Sequence, residues 1–527
     1  MNALARHRRR EWHVLLTIIA VAFALVLAAC SSSSSSSPSS TSTAQAAAGH
    51  DTGGTLVVGD PVALSNSDPI HAISSRDQSY LWTVYDTLLQ FAPQSMEPTP
   101  GLAESWSYTN PLTLVLKLRS GVTFQDGTPF NAAAVKFNLD RDLGAGTTTV
   151  GLLGSVSSVD ATNPTTATIH LKQPDSSLLL ALSDLPGMMV SPTAARKSAN
   201  SLSVTPVGAG PYQFVSQVNG SGFAVKRFAG YWDKSYAGPS SIQFKVLADP
   251  ATEANALKSG QINFALNVDA SQVDSLKAAS GIKLQASPSF ETIVITMDLK
   301  KAPLNNPVVR QAINLAVDRP ALVQEAEFGQ ATPAYSILPK ESWAYPTGIP
   351  EPARDVAKAK ALLANAGLTH VSFDMIFHPT SVYQRIATLL QGQLAEAGIT
   401  LNIIPHDLTD GAPEFLSGAK YDSELASFGG RQDPVTAYGA LYRSTALLNP
   451  GKSSIPGMDA LLIEADSSAT TSQRKPALLQ LGQLVSSYLP STILYQRQLI
   501  VAYSDTVTGY VPNILGKPKF GGMSVSG

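Results

Sequence analysis

Helix-like and strand-like patterns alternate in three parts of the chain. In residues 353–366 apolar side chains recur at helical spacing, and Gly367 supplies a helix stop before a strand-like run at 371–375. Residues 383–404 repeat this order of helix, glycine and strand, and residues 251–266 show it earlier in the chain. Strands joined through helices favour right-handed crossovers, so the pattern predicts a partly parallel sheet.

Other segments carry the pattern of antiparallel strands. Leucines at alternate positions in residues 112–118 predict a strand with one buried face. Residues 212–228 contain two strand-like runs on either side of Asn219-Gly220, which is a strong hairpin-turn signal. Together with the helical units, these segments predict an α/β fold with antiparallel insertions.

The N-terminus has the pattern of an export signal. Arginines at positions 6, 8, 9 and 10 precede an uncharged run at 14–29. A helix of that length spans about 24 Å, short of the roughly 30 Å hydrocarbon core of a membrane. A signal peptide over residues 1–29 therefore fits better than a permanent span. The alternative is an uncleaved signal anchor.

A single cysteine follows this run. Residues 27–30 (LAAC) resemble a bacterial lipobox, and Cys30 is the only cysteine in 527 residues. Small residues before Cys30 allow a peptidase to cut there, and the thiol can then carry a diacylglyceryl group. We therefore predict lipidation at Cys30. We predict that residues 30–51 form a serine-rich flexible tether of about 25 Å, which would hold the folded body at the extracytoplasmic face of the cell membrane.

Composition narrows the classes of function. Apolar residues make up 44% of the chain, and charged residues only 14%, against roughly 25% charged residues in typical soluble proteins. The net charge of −2 shows no excess of basic residues, which argues against nucleic-acid binding. One cysteine excludes disulfide scaffolds, zinc ribbons and iron–sulfur clusters. A length of 527 residues predicts two or more domains.

The sequence carries no local catalytic motif. A nucleophile elbow, a P-loop and an H-E-x-x-H motif are all absent from it. Residues 208–211 (GAGP) begin like a dinucleotide fingerprint, but they lead into a strand rather than the helix that cradles a phosphate. The eight histidines fit no metal-ligand spacing. We therefore predict no catalytic residue, metal or cofactor. A pair of carboxylates for glycoside hydrolysis is still an alternative, because such residues come together only in the folded chain and leave no fixed spacing in the sequence.

Several segments resemble the extracytoplasmic solute-binding proteins of peptide and nickel ABC importers, family 5. They occur in family order and cover nearly the whole mature chain. The matching segments are 100–106 (PGLAESW), 116–130 (LKLRSGVTFQDGTPF), 134–137 (AVKF), 206–212 (PVGAGPY), 310–319 (RQAINLAVDR) and the tract at 422–434. Most of these residues are glycines and prolines expected at turns or large apolar side chains expected in the core, so they identify a fold rather than a ligand.

The resemblance implies a two-lobed, periplasmic-binding-protein-like clamp of type II with an extra inserted domain. Ligand would bind in the cleft, and the lobes would close on it by a hinge motion. The implied domains are lobe I at 52–74, 205–285 and 501–527, the inserted domain at 75–204, and lobe III at 286–500.

The late segment departs from the family pattern. Peptide binders in this family often carry Trp-x-x-Asp there, and the Asp receives the peptide α-ammonium group. Here Phe428 stands in place of the Trp and Arg431 in place of the Asp. A guanidinium cannot accept a hydrogen bond from ammonium, but it binds carboxylate, phosphate or sulfate through a bidentate fork. Arg431 therefore binds an anionic part of the ligand, or Asp433 forms a shifted amine site, or Arg431 makes an internal salt bridge. The candidate ligand-binding residues are Phe428, Gly430, Arg431, Asp433, Tyr438 and Trp343.

The sequence thus predicts a lipid-anchored, monomeric, non-enzymatic binding component of an ABC importer. Its partners would be the permease and ATPase subunits in the cytoplasmic membrane, and its ligand a peptide or a related small organic solute. The alternatives are a receptor for a non-peptide anionic, glycosidic or metal-chelate ligand, a ligand sensor without transport, and a secreted hydrolase.

Overall fold

The computed structural model describes residues 53–73, 76–406, 411–418, 420–429, 431–468 and 470–526. The predicted signal peptide, Cys30 and almost all of the tether lie outside these residues, as does Gly430. Residues 49–527 make one compact unit. No helix in the described ranges combines the length and the apolar character that crossing a membrane requires.

Strands and helices alternate along the whole body. The strands are β1 (Thr55–Asp60), β2 (Leu89–Phe91), β3 (Pro98–Pro100), β4 (Ala103–Asn110), β5 (Thr113–Leu118), β6 (Val156–Asn163), β7 (Thr166–Leu171), β8 (Tyr212–Val218), β9 (Gly222–Arg227), β10 (Ser241–Val246), β11 (Phe264–Ala265), β12 (Ile282–Met297), β13 (Ala331–Pro333), β14 (Val371–Phe377), β15 (Ile399–Pro405), β16 (Ser423–Phe428), β17 (Ser491–Ser504), β18 (Val507–Thr508) and β19 (Ser524–Val525). The α-helices are α1 (Asp77–Val84), α2 (Ala132–Asp142), α3 (Leu178–Ala181), α4 (Pro192–Ala195), α5 (Ser201–Val204), α6 (Pro250–Lys258), α7 (Val273–Lys277), α8 (Pro307–Ala316), α9 (Arg319–Ala326), α10 (Val356–Asn365), α11 (Ser381–Glu396), α12 (Gly411–Leu416), α13 (Pro434–Tyr442), α14 (Met458–Asp466) and α15 (Thr471–Tyr488).

A mixed sheet of eleven strands forms the frame of the body. Its strand order is β15-β14-β16-β12-β17-β11-β1-β10-β9-β8, and β13 pairs with β17 beside this path. Strand β14 runs parallel to β15 and β16, and β1 runs parallel to β10 and β11. The helix, glycine, strand units at 353–404 therefore form parallel strands, as the sequence pattern predicts.

Two long strands hold the ends of this sheet together. Strand β12 pairs with β17 from Ile282 to Thr296, with a register shift between Pro288 and Thr292. The strands β14 to β16 attach to the second half of β12, whereas β11, β1 and β10 attach through the last residues of β17. Among the described strands, the β12–β17 ribbon is therefore the sole hydrogen-bonded link between the two groups.

A smaller antiparallel sheet lies within the predicted inserted domain. Its order is β4-β5-β7-β6, and it has its own apolar core. Leu114, Leu116 and Leu118 face this core, as the alternation predicts. The prediction is wrong for Leu112, which precedes β5 and is 40% exposed, because Asn110 accepts a hydrogen bond from its backbone amide and turns the chain there.

The GAGP segment is a packing element. A Cβ on Gly208 would lie 2.4 Å from the carbonyl oxygen of Val84, and a Cβ on Gly210 would lie 2.5 Å from the carbonyl carbon of the same residue. The amide of Gln125 donates to the carbonyl oxygens of Val84 (2.9 Å) and Tyr212 (2.7 Å). Two glycines are needed because backbone meets backbone at this point.

Two buried arginines bracket the segment at 310–319. Arg319 is 2% exposed, and its guanidinium donates to the carbonyl oxygens of Ile493 (2.8 Å) and Ala334 (3.1 Å) and to Asn314. Arg310 donates in the same manner to backbone carbonyls on both sides of its guanidinium, those of Leu304, Asn305, Tyr488 and Leu489. Burial lowers the pKa of Arg319 to about 10, so the side chain stays charged at neutral pH and ties α9 to β17.

We expect the Arg319→Lys variant to lower the free energy of unfolding by about 3 kcal/mol, because a lysine ammonium cannot reach all of these acceptors and leaves carbonyls unpaired. Urea unfolding of the mature chain measures this change. The exposed Lys360 on α10 is the control, and Lys360→Ala should stay within about 0.5 kcal/mol of wild type. Equal stability of the two variants would contradict the assigned role of Arg319.

Candidate functional site

The segment that links β16 to α13 lies against the predicted inserted domain. Phe428 ends β16 and pairs with Thr292 on β12. Four residues further on, the Gln432 side-chain oxygen accepts a hydrogen bond of 3.0 Å from the hydroxyl of Ser183. Residues of predicted lobe III therefore meet residues of the predicted inserted domain directly.

Asp433 is held by partners within the protein. Its Oδ1 caps α13 by accepting from the backbone amide of Val435 (2.8 Å), and it also forms a 2.7 Å ion pair with Arg474. The side chain is 3% exposed. Its other oxygen, Oδ2, has no hydrogen-bond partner among the described residues. The shifted amine site at Asp433 stays a prediction, and only Oδ2 is left to serve it.

The aromatic candidates belong to the packing of this region. Phe428 is 4% exposed and Tyr438 is 1% exposed, and both contribute to the largest apolar core. Trp343 is half-buried against the same core, and the Arg474 guanidinium lies 5.7 Å from its ring centroid. Phe428 and Tyr438 therefore form an apolar wall beside the segment at 428–434. Their contact with ligand stays a prediction.

Arg431 is exposed and makes no ion pair with any residue that the structure describes. The three alternatives considered for Arg431 from the sequence stay predictions. Arg431 acts electrostatically on a second cation, Lys517. Burial lowers the pKa of Lys517, Arg431 lowers it further, and the carboxylates of Asp184 and Asp77 oppose both effects.

Lys517 comes from the C-terminal tail, defined here as residues 507–526. The tail packs into the largest apolar core, to which all three predicted domains contribute, and the backbone amide of Ile514 donates to the carbonyl of Pro93 in the predicted inserted domain (3.1 Å). A second tail cation, Lys519, places its ammonium 4.6 Å from the ring centroid of Trp82 and 4.4 Å from that of Phe91. Burial lowers the pKa of Lys519 to about 8. No sequence pattern pointed to these lysines, because the tail reaches the site only in the tertiary structure.

A paired charge network lies at the register shift between the two long strands. The Arg497 guanidinium forms ion pairs with Glu327 (2.8 Å) and Glu291 (3.3 Å). The hydroxyl of Ser427 donates to Glu291 (3.0 Å). Burial would raise the pKa of Glu291, but Arg497 and Arg76 outweigh burial and lower it. Residues of β12, β17 and β16 are thus fixed to each other at the point where the ribbon is irregular.

No cluster of three or more metal-ligating side chains occurs within the part of the chain that the structure describes. Among the described residues, Arg431 and Lys517 form no ion pair of 4 Å or less, and Phe428 and Tyr438 belong to the apolar core behind this segment. A guanidinium in such surroundings is suited to an anionic group.

Comparison with known proteins identifies the family. The profile described as bacterial extracellular solute-binding proteins, family 5 Middle, matches residues 97–448. The glutathione-binding protein GsiB of Escherichia coli strain K12 is 35% identical over 366 residues, which cover 68% of this chain and 71% of that protein.

Solved structures share the fold. The periplasmic binding protein DppA of Helicobacter pylori, in complex with peptide STSA, superposes with a TM-score of 0.78 at 22% identity, over 90% of this chain and 98% of that one. The binding protein AgaA of A. tumefaciens R10, in complex with agropinic acid, gives 0.76 at 23% identity, over 90% and 99%. The predicted two-lobed clamp fold is confirmed. The chain belongs to family 5 of the bacterial extracellular solute-binding proteins, the components of ABC importers that deliver peptides or other small molecules to a permease and its ATPase.

Proposed function

We propose that this protein is anchored by a lipid on Cys30 and captures a peptide or a related small organic solute in the crevice between predicted lobes I and III. The β12–β17 ribbon carries the proposal, because it joins the two groups of sheet strands and has its register shift midway. Bending at that point would open and close the crevice, and ligand would select the closed state by binding it more tightly.

The ligand would meet the segment at 428–434 and the aromatic wall behind it. Arg431 would bind a carboxylate of the ligand, with Phe428, Gly430, Asp433, Tyr438 and Trp343 as further site residues. Relatives bind glutathione and the peptide STSA, which supports a peptide ligand. A non-peptide anionic ligand is the second candidate, because Arg431 replaces the family's amine-binding Asp and because AgaA binds agropinic acid.

Native mass spectrometry of the mature chain, purified without denaturant, tests this function. We expect a co-purified peptide or another small molecule that carries a carboxylate, and calorimetry with that molecule should give saturable binding. Incubation should leave the molecule chemically unchanged. Conversion of the molecule to products would contradict a binding role and would favour the secreted hydrolase.

Lipidation is tested by replacing the thiol. In Cys30→Ser, the chain should lose incorporation of labelled palmitate and move from the membrane fraction to the soluble fraction, because no other cysteine can carry the lipid. The variant Ser31→Ala is the matched control and should keep both properties. Retention of the label in the Cys30→Ser variant would refute the anchor.

A second contact between the predicted inserted domain and lobe III involves Asp466. The backbone amide of Ser176 donates to the backbone carbonyl of Asp466 (3.1 Å), and the Ser176 hydroxyl donates to the side-chain Oδ1 of Asp466 (3.4 Å). Burial raises the pKa of the Asp466 side chain from 3.8 to about 7, Asp175 and Asp433 raise it further, and Arg474 opposes the shift. Asp466 therefore holds its proton more tightly in this contact than in water.

The stability of this contact should fall as the pH rises from 3.8 to about 7. Above that range the charged Asp466 repels its neighbours. The variant Asp466→Asn should therefore raise the melting temperature at pH 8 by roughly 1–3 °C and change it little at pH 4. Glu464→Gln, on the same helix, is the control. If the melting temperature of Asp466→Asn rose as much at pH 4 as at pH 8, the stabilisation would not come from removing the carboxylate charge.

A further inference from the structure

A small cavity lies beside the register shift of the β12–β17 ribbon. Its volume is about 70 Å³, and residues of β12, of β17, and of β13 with the chain that follows it line the space. A bound water needs roughly 10–15 Å³ of such space, so the cavity has room for about five non-hydrogen atoms. It is therefore large enough to hold a small organic molecule.

Two glutamine side chains supply the uncharged polar part of the lining. Gln496 and Gln498 are two positions apart on β17, so their side chains lie on the same face of the strand. Gln496 is 9% exposed, and its side-chain amide nitrogen finds no hydrogen-bond acceptor among the residues that the structure describes. Within the same part of the chain, the side chain of Gln498 makes no hydrogen bond either. Because a buried amide without partners is costly, a ligand that supplies those partners is favoured.

The cations on the lining already have anionic partners. Lys340 forms a 3.0 Å ion pair with Glu351, and Arg497 forms a 2.8 Å ion pair with Glu327. Glu341 also belongs to the lining, and this exposed carboxylate pairs with no cation in the described ranges. An anionic ligand would therefore meet repulsion from Glu341 and no unpaired cation, so the lining favours an uncharged molecule.

Apolar groups form a further part of the lining. Pro288, Pro333, Ala334 and Leu338 all contribute to it. Water makes no hydrogen bond with these groups, whereas an alkyl group is stabilised when it leaves water and packs against them. A molecule that joins a short alkyl group to an amide therefore suits the cavity better than a cluster of waters.

We propose that this cavity is a second binding site, separate from the segment at 428–434, and that it takes a small neutral molecule with a primary amide group. The carbonyl oxygen of the ligand accepts a hydrogen bond from the amide nitrogen of Gln496, and the ligand's NH₂ group donates to the side-chain oxygen of Gln498. The alkyl group lies against the apolar part of the lining. The site does not depend on the proposed solute-binding function, because none of the residues assigned to that function lines the cavity.

Propionamide is the probe, and sodium propionate, which has the same shape and a negative charge, is the matched control ligand. Titration of the mature chain, followed by saturation-transfer NMR, should show saturable binding of propionamide and weaker binding of propionate. Gln496→Leu and Gln498→Leu should each weaken propionamide binding about fivefold, because each removes one hydrogen bond to the ligand. Gln243→Leu, at an exposed glutamine on β10, is the control and should bind propionamide as wild type does.

A further variant separates loss of the site from loss of folding. Thr332 belongs to the lining and is exposed, so a large side chain there can fill the cavity without altering the core. Thr332→Trp should weaken propionamide binding and keep the melting temperature of wild type. In crystals of wild type soaked with propionamide, the molecule should lie between the side chains of Gln496 and Gln498. If Gln496→Leu does not fold, Gln498→Leu and the soaked crystals decide.

The inference is overturned if wild type shows no saturable binding of propionamide, if propionamide and propionate bind equally, or if both leucine variants bind propionamide as wild type does. Soaked crystals that hold only water between the two glutamines would also overturn it. Displacement of a co-purified solute by propionamide would place both molecules in one site and would refute a second site. Failure to retain any solute would count against the proposed function alone.

Discussion

The pairing of β12 with β17 is the constraint on which the rest of the structure depends. Strands of both predicted lobes attach to this ribbon, at its opposite halves. The irregular register at Pro288–Thr292 interrupts the ladder of hydrogen bonds, and Arg497 with its two glutamates supplies a polar connection there. The ribbon therefore stays continuous across its irregular part.

Most family signatures serve this frame rather than a ligand. Gly208 and Gly210 let two backbones meet, and Gln125 fastens them. Arg310 donates to the carbonyl of Leu489 just after α15, and Arg319 donates to the carbonyl of Ile493 in β17. Each of these residues meets a backbone requirement of the fold, so none of them needs a ligand to explain it.

Local periodicity predicted much of the fold. The parallel units around Gly367 and Gly398, the hairpin at 212–228 and the strand that carries Leu114 all follow from spacing and turn residues. The prediction of a buried strand position fails at Leu112 for a local reason. The Asn110 side chain accepts a hydrogen bond from the backbone amide of Leu112, and β5 begins only at the next residue, Thr113.

The candidate site was less accessible to sequence reasoning. Arg431 could be found because it breaks a family pattern, but Lys517 is 86 positions away along the chain and carries no motif. Burial raises the pKa of Asp466, and Asp175, which belongs to another part of the fold, raises it further. Interactions between distant segments depend on tertiary geometry, and a pattern of neighbouring residues does not encode them.

The first and last described strands of the body meet. A Cβ on Gly54 would lie 2.6 Å from the carbonyl oxygen of Val525, so the start of β1 rests on the final residues of the chain. A contact between segments this far apart in sequence forms only once both are present. The surroundings of the first strand are therefore completed by the last residues that the ribosome adds.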